Sequence, residues 1–131
     1  MSTPEAALVA VLNADASVAA QIGTRVFPIG GRQGTAYPYA TYQRISTAGE
    51  PFLDGPSDLD HPRFQIDTWG DTALAALTAA NAIRTAIDGV EKTGAGLTIS
   101  ATFQDQRGPT LDEETRKFGC SLDFFIWHER A

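Results

Sequence analysis

The feature that most constrains this chain is a change of hydrophobic period at Gly70-Asp71. Before it, Arg63 to Trp69 alternates, with Phe64, Ile66 and Thr68 on one face and Arg63, Gln65, Asp67 and Trp69 on the other, the pattern of a strand with one buried side. After it, Ala73, Ala76, Leu77, Ala80, Ile83 and Ile87 recur at helical spacing as far as Asp88. Asp71 is the expected N-cap and Gly89 the expected stop. The small alanines let this helix lie close against a sheet, although they bury less apolar area than leucines would.

Other segments supply that sheet. Tyr37 to Ser46 is rich in aromatic and β-branched residues, with Pro38 near its start, and reads as a strand. Leu97, Ile99, Ala101 and Phe103 alternate with Thr98, Ser100, Thr102 and Gln104. The last strand, Phe118 to His128, turns Cys120, Leu122, Phe124 and Ile126 inward and Ser121, Asp123, Phe125 and Trp127 outward. At the other end, Thr3-Pro4 caps a short amphipathic helix through Leu8, Val11 and Leu12, ending near Asn13. Asp15 caps a second short turn that Gly23 stops, and Arg25 to Pro28 is a short strand or extended arm.

Between these lie polar connections. Residues 29–36 hold three glycines in five positions and read as loop. Residues 47–62 carry Glu50, Asp54, Asp58 and Asp60 with no Lys or Arg, and form a long acidic loop or a hairpin tip whose ends are strands. Asp105 to Lys117 is read as a second long polar connection, containing Arg107, Arg116 and Lys117. The expected class is α+β: an antiparallel or mixed sheet with a long helix and a short N-terminal helix packed on it. A chain of 131 residues, 43% of them hydrophobic, closes one core, so residues 1–131 are expected to be a single domain.

Charge and chemistry exclude more than they propose. Ten Lys and Arg against sixteen Asp and Glu give a formal charge of -6, the wrong sign for neutralising phosphates on an outer surface. One cysteine makes no internal disulfide and points to folding in a reducing, intracellular place. No basic region precedes the first apolar stretch and no run of eighteen apolar residues occurs, so neither a classical secretion signal nor a membrane span is expected. His61 and His128 read as surface histidines without metal-ligand spacing, and Cys120 as an inert core thiol. The acidic stretch lacks the ligand order of a calcium loop, and Gly30-Gly31-Arg32-Gln33-Gly34 lacks the ending of a phosphate loop. No catalytic site, metal or cofactor is expected.

One oddity remains on the outer face. Phe125 and Trp127 lie beside Trp69 if their strands share a sheet, and such a patch suits either a subunit contact or a covering layer such as the N-terminal helix.

Taken in order, these blocks resemble a known family. Ile22-Gly23-Thr24-Arg25-Val26-Phe27-Pro28, Tyr37 to Ser46, Arg63-Phe64-Gln65-Ile66-Asp67-Thr68-Trp69, the helix after Asp71 and the closing Ser121 to Trp127 are similar to the small tail completion or tail terminator proteins of long-tailed bacteriophages and phage-like gene transfer particles. The central pair of strands carries most of the likeness. It implies a structural virion protein, assembled in the host cytoplasm, that forms a ring, commonly a hexamer, at the head-proximal end of the tail tube. Such a ring ends tube growth, joins the head connector or stopper protein, and lets DNA through without binding it specifically. Under that reading, Glu50, Asp54, Asp58 and Asp60 on one segment, and Arg107, Arg116 and Lys117 on another, are candidate interface residues. Arg44 and Arg63 are candidates for pairing with carboxylates of a neighbouring subunit, and residues 29–36 for reaching one. A connector or stopper subunit is the alternative within the class, and a small monomeric binding module the alternative outside it.

Overall fold

The computed structural model describes residues 3–30, 35–47, 49–52 and 55–129, with residues 49–52 and 55–59 described at backbone level. The chain opens with helix α1 (Pro4–Ala14), whose first turn is capped by the Thr3 hydroxyl accepting from the Ala6 N–H at 3.1 Å. Helix α2 (Ala16–Ile22) follows at once, because Asp15 ends α1 and caps α2 through a 3.0 Å bond from the Val18 N–H. Gly23, at φ 58°, closes it.

Strand β1 (Val26–Pro28) runs parallel to β2 (Tyr39–Ser46). The acidic stretch then folds into a hairpin of β3 (Gly49–Phe52) and β4 (Gly55–Asp60). Next come β5 (Arg63–Gly70) and α3 (Ala73–Ile87), followed by β6 (Glu91–Gly94), β7 (Leu97–Asp112) and β8 (Lys117–Glu129). The strands make one mixed sheet in which every pairing except β1 with β2 is antiparallel. Strand β8 is its centre. It pairs with β7 along one side, and on the other side with β5 and then, at its end, with β4.

Helices α1 and α3 lie against the sheet on one face, and α2 packs on those two helices. Helix α3 covers β5, β7 and β8, while α1 touches β6 and β7 at one edge of the sheet and β1 at the other, which requires the sheet to curl round the helices. Inside are Leu8, Leu12, Ile22, Phe64, Ile66, Ile83, Ile87, Ile99, Leu122, Phe124 and Ile126, each almost wholly buried. The alternations expected for β5 and β8 hold residue by residue on this inner face.

The seam between β5 and α3 shows why the period changes where it does. The buried Thr68 hydroxyl donates to the Ala76 carbonyl at 2.8 Å, so the helix folds back onto the strand that precedes it. A Cβ on Gly70 would lie 2.8 Å from the Ala76 backbone nitrogen, and glycine is what leaves room for that return. The cap itself is Thr72, whose hydroxyl accepts from the Ala75 N–H at 3.0 Å. The expected cap, Asp71, instead faces Lys117 in an ion pair.

Of the two polar stretches, residues 47–62 take the hairpin alternative rather than the loop, and residues 105–112, expected as part of a long connection, are strand. Residues 47–62 contain the β3–β4 hairpin, and β7 continues through Asp105 to Asp112, leaving a turn only at 113–116. The second escapes an apolar-pattern reading because β7 beyond Phe103 is largely exposed, with no buried face to produce alternation. Strand β6 was likewise not foreseen; its hairpin turns on Ala95 at φ 50° and Gly96 at φ 80°, a primed turn in which alanine replaces the usual first residue. Residues 31–34 lie outside the described residues.

Replacing Gly70 with Ala should lower stability by about 1–3 kcal/mol through the clash with the α3 backbone. Urea unfolding checks this; an unchanged midpoint would mean that the strand and helix do not approach as closely as described.

Candidate interaction face

Since the described helices share one face of the sheet, the opposite face of β2, β5 and β8 carries no helix. A covering layer built from the N-terminal helix is therefore not what occupies the outward aromatics. The register sets what this face displays. Trp69 lies opposite Gly119 and Tyr39, Asp67 opposite Ser121 and Thr41, Gln65 opposite Asp123 and Gln43, and Arg63 opposite Phe125.

At the middle stands Asp123. It points away from the core yet is only 2% exposed. Its carboxylate is covered by two guanidinium groups from neighbouring strands: Arg63 Nη2 donates to Oδ2 at 2.8 Å, and Arg107 donates Nη1 to Oδ2 at 2.8 Å and Nη2 to Oδ1 at 3.2 Å. Arg107 also reaches Asp105 at 3.0 Å. The hydrogen bond from Arg107, joined by that from Arg63, holds the Asp123 carboxyl below the usual aspartate range even though burial opposes it. In return, bonding to Asp123 and then Asp105 raises Arg107 above the ordinary arginine value.

Next to this cluster Asp67 accepts from Ser121 Oγ at 2.6 Å and from Gln65 Nε2 at 3.0 and 3.1 Å. A depression of about 380 Å³ opens here, walled by Trp69, Leu111 and Thr110 and bordered by Asp67, Arg107 and Ser121. Trp69 lies over Gly119, where a Cβ would come within 2.9 Å of the indole. Its Nε1 donates weakly to Thr41 Oγ1 at 3.5 Å.

The three outward aromatics do not form one patch. Trp69 pairs with Gly119 near one end of β8, whereas Phe125 and Trp127 lie near the other, with Asp123 and its arginines between. Their neighbour is His61, whose ring stacks on Trp127 at 4.4 Å and meets Phe125 edge-on at 5.4 Å. His61 is thus half-buried rather than a free surface histidine, and His128 is 9% exposed. No sequence signal marks the stack, because it depends on where the β4–β5 segment meets β8.

The remaining candidates are spread over the molecule. Arg44 holds Glu5 of α1 through two bonds, 3.0 Å from Nε and 2.6 Å from Nη2. Arg44 and Arg63, read as partners for a neighbour's carboxylates, thus both have carboxylates of their own chain. Arg116 lies 3.6 Å from Glu113 in the exposed turn. Lys117, paired with Asp71, places its ammonium 4.9 Å from the centre of the Tyr37 ring. Asp60 pairs with His128 in the ladder. Glu50 and Asp58 are described by their backbone only, and Asp54 lies outside the described residues.

Acid–base chemistry has little to work with. Cys120 is 1% exposed and burial raises its thiol pKa, against a smaller lowering by the Thr68 hydrogen bond. Among the described residues no three His, Cys, Asp or Glu side chains converge as a metal site. The arrangement can present a polar centre with aromatic ends to another surface.

Asp123→Asn should cost about 1–2 kcal/mol at pH 7, the low end for charged hydrogen bonds because both arginines are more than a third exposed and water screens them. A depressed folded pKa stabilises above the unfolded aspartate value, about 3.9, and that contribution is lost as pH falls through the lower folded value. Urea titrations at pH 7 and pH 3 should therefore show the two proteins converging in acid; a gap that stays constant would remove the ion pairs from the account.

The model of the family described as tail completion protein gp17 matches residues 6–129. No curated protein matches the chain. Among solved structures, a chain of the virion of a native gene transfer agent particle superposes with a TM-score of 0.76 at 23% identity, covering 96% of this chain and 94% of that one. At that identity the superposition establishes the fold, and the family match carries the assignment. With all but the ends of its sequence inside the family model, the chain belongs to the tail completion protein gp17 family and is a structural protein of the virion tail.

Proposed function

We propose that this protein forms a ring, a hexamer, on the head-proximal end of the tail tube, where it ends tube polymerisation and joins the tail to the head connector. The observation that carries the reading is the outer face of the sheet: it has no helix over it among the described residues, is polar at Asp123 and aromatic at Trp69 and at Phe125 and Trp127, and belongs to a chain of a tail completion family. Such a face is suited to contact with another subunit. A closed ring satisfies its lateral contacts without growing into a filament, and one of its axial faces can match the tube while the other does not.

The β3–β4 hairpin and the end of the β7–β8 hairpin extend the sheet at opposite ends of β8. That placement supports assigning residues 47–62 and 105–117 to axial or lateral contacts; residues 29–36 are assigned to reaching a neighbour on their glycine-rich sequence. The excess of acidic side chains, including Glu50, Asp54, Asp58 and Asp60, would repel phosphates and let DNA slide through the ring without specific binding. The function needs no bond-making step and no cofactor. A connector or stopper subunit is the second reading, and the site of assembly separates the two: a terminator caps isolated tails, a stopper closes DNA-filled heads.

Particles assembled without this protein should show, by electron microscopy, tails of abnormal length and heads left unjoined. Normal tails attached to heads would defeat the reading. Hydrogen exchange should show added protection in residues 47–62, 105–117 and 29–36 when free subunits enter the assembly, and unchanged protection in all three would withdraw the contact assignment.

A further inference from the structure

Strands β4 and β5 follow one register against β8. Asp60 pairs with His128 and Arg63 with Phe125, so between them His61 falls opposite Trp127 and Pro62 opposite Ile126, without a shift. The Ile126 N–H donates to the Pro62 carbonyl at 2.9 Å, which keeps the segment in line. The ladder is nonetheless interrupted at His61-Pro62, where neither residue is strand and proline has no N–H to give.

Beyond the interruption the β3–β4 hairpin is an arm. Its paired contacts with the rest of the sheet are Leu59 with Glu129 and Asp60 with His128, and β3 pairs with β4 alone among the described strands. Two residue pairs at one end leave such an arm free to swing about its root unless something else holds it. What lies at the root is the His61 ring, face to face with Trp127 at 4.4 Å and 25° and edge-on to Phe125 at 5.4 Å and 72°. Both partners belong to the central strand, so the stack ties the root of the arm to the strand that is paired along both edges.

We infer that His61 is the positioning residue of this arm: its ring, laid on Trp127 and against Phe125, takes over at the proline break the task that ladder hydrogen bonds perform elsewhere and fixes the direction of the β3–β4 hairpin relative to the sheet. The role belongs to the isolated chain and holds whether or not the ring reading does. What the stack requires is a flat ring at residue 61 and an aromatic surface at residue 127, so phenylalanine should serve in place of histidine and alanine should not.

The test uses the full ¹⁵N-labelled chain and amide order parameters for β4 and β5. In the native sequence both strands should show rigid values of about 0.85. His61→Ala should drop the β4 amides below about 0.6 and leave β5 rigid, and Trp127→Leu should reproduce that pattern from the other side of the stack. His61→Phe should restore β4. The inference is overturned if β4 is already mobile in the native chain, if it stays rigid in both His61→Ala and Trp127→Leu, or if His61→Phe behaves like the alanine variant. Should His61→Ala lose order throughout, Trp127→Leu and His61→Phe decide by the same criteria.

Discussion

Everything in this fold is registered on β8. Its inner side chains, Cys120, Leu122, Phe124 and Ile126, are buried under α3, and its two edges hold β7 and the β5–β4 line. A strand enclosed in this way cannot slip by one residue, because the slip would turn four apolar side chains outward and bring Asp123 into the core. Helix α3 adds a second restraint through the Thr68–Ala76 bond and the space kept by Gly70. Once β8 and β5 are placed, the outward residues have no freedom of arrangement either, and the composition of the outer face follows from the packing of the inner one.

That dependence decides how far the sequence could be read. Where one face of a strand meets the core, as in β5 and β8, alternation alone placed the residues correctly. Where neither face does, as in β7 from Asp105 to Thr110 or in β6, polar side chains carry no period and give no strand signal. The helix start was legible only to within one residue, since Asp71 and Thr72 can both cap; the pull of Lys117 on Asp71, from a position 46 residues later, leaves the cap to Thr72.

The candidate interface divides along similar lines. That Asp123, Phe125 and Trp127 point outward could be read from period two. That Asp123 is buried there by Arg63 and Arg107, 60 and 16 residues away in sequence, could not, because an ion pair formed across strands leaves no local signature. The separation of Trp69 from the other two aromatics likewise needs the register of β5 on β8. Family resemblance, by contrast, was carried by the order of fold-defining blocks, which is why it identified the class of protein while leaving individual contacts to geometry.

The far half of β7 has a consequence of its own. From Gln104 onward no described strand lies on its outer side, and an exposed edge of that length would ordinarily template the addition of foreign strands. Here the ladder is broken by register shifts between Phe103 and Asp105 and between Arg107 and Thr110, and Pro109 removes a donor in the second of them. Register shifts and a proline along a bare margin of this kind work against the docking of an extra strand there, whatever the chain meets on its other surfaces.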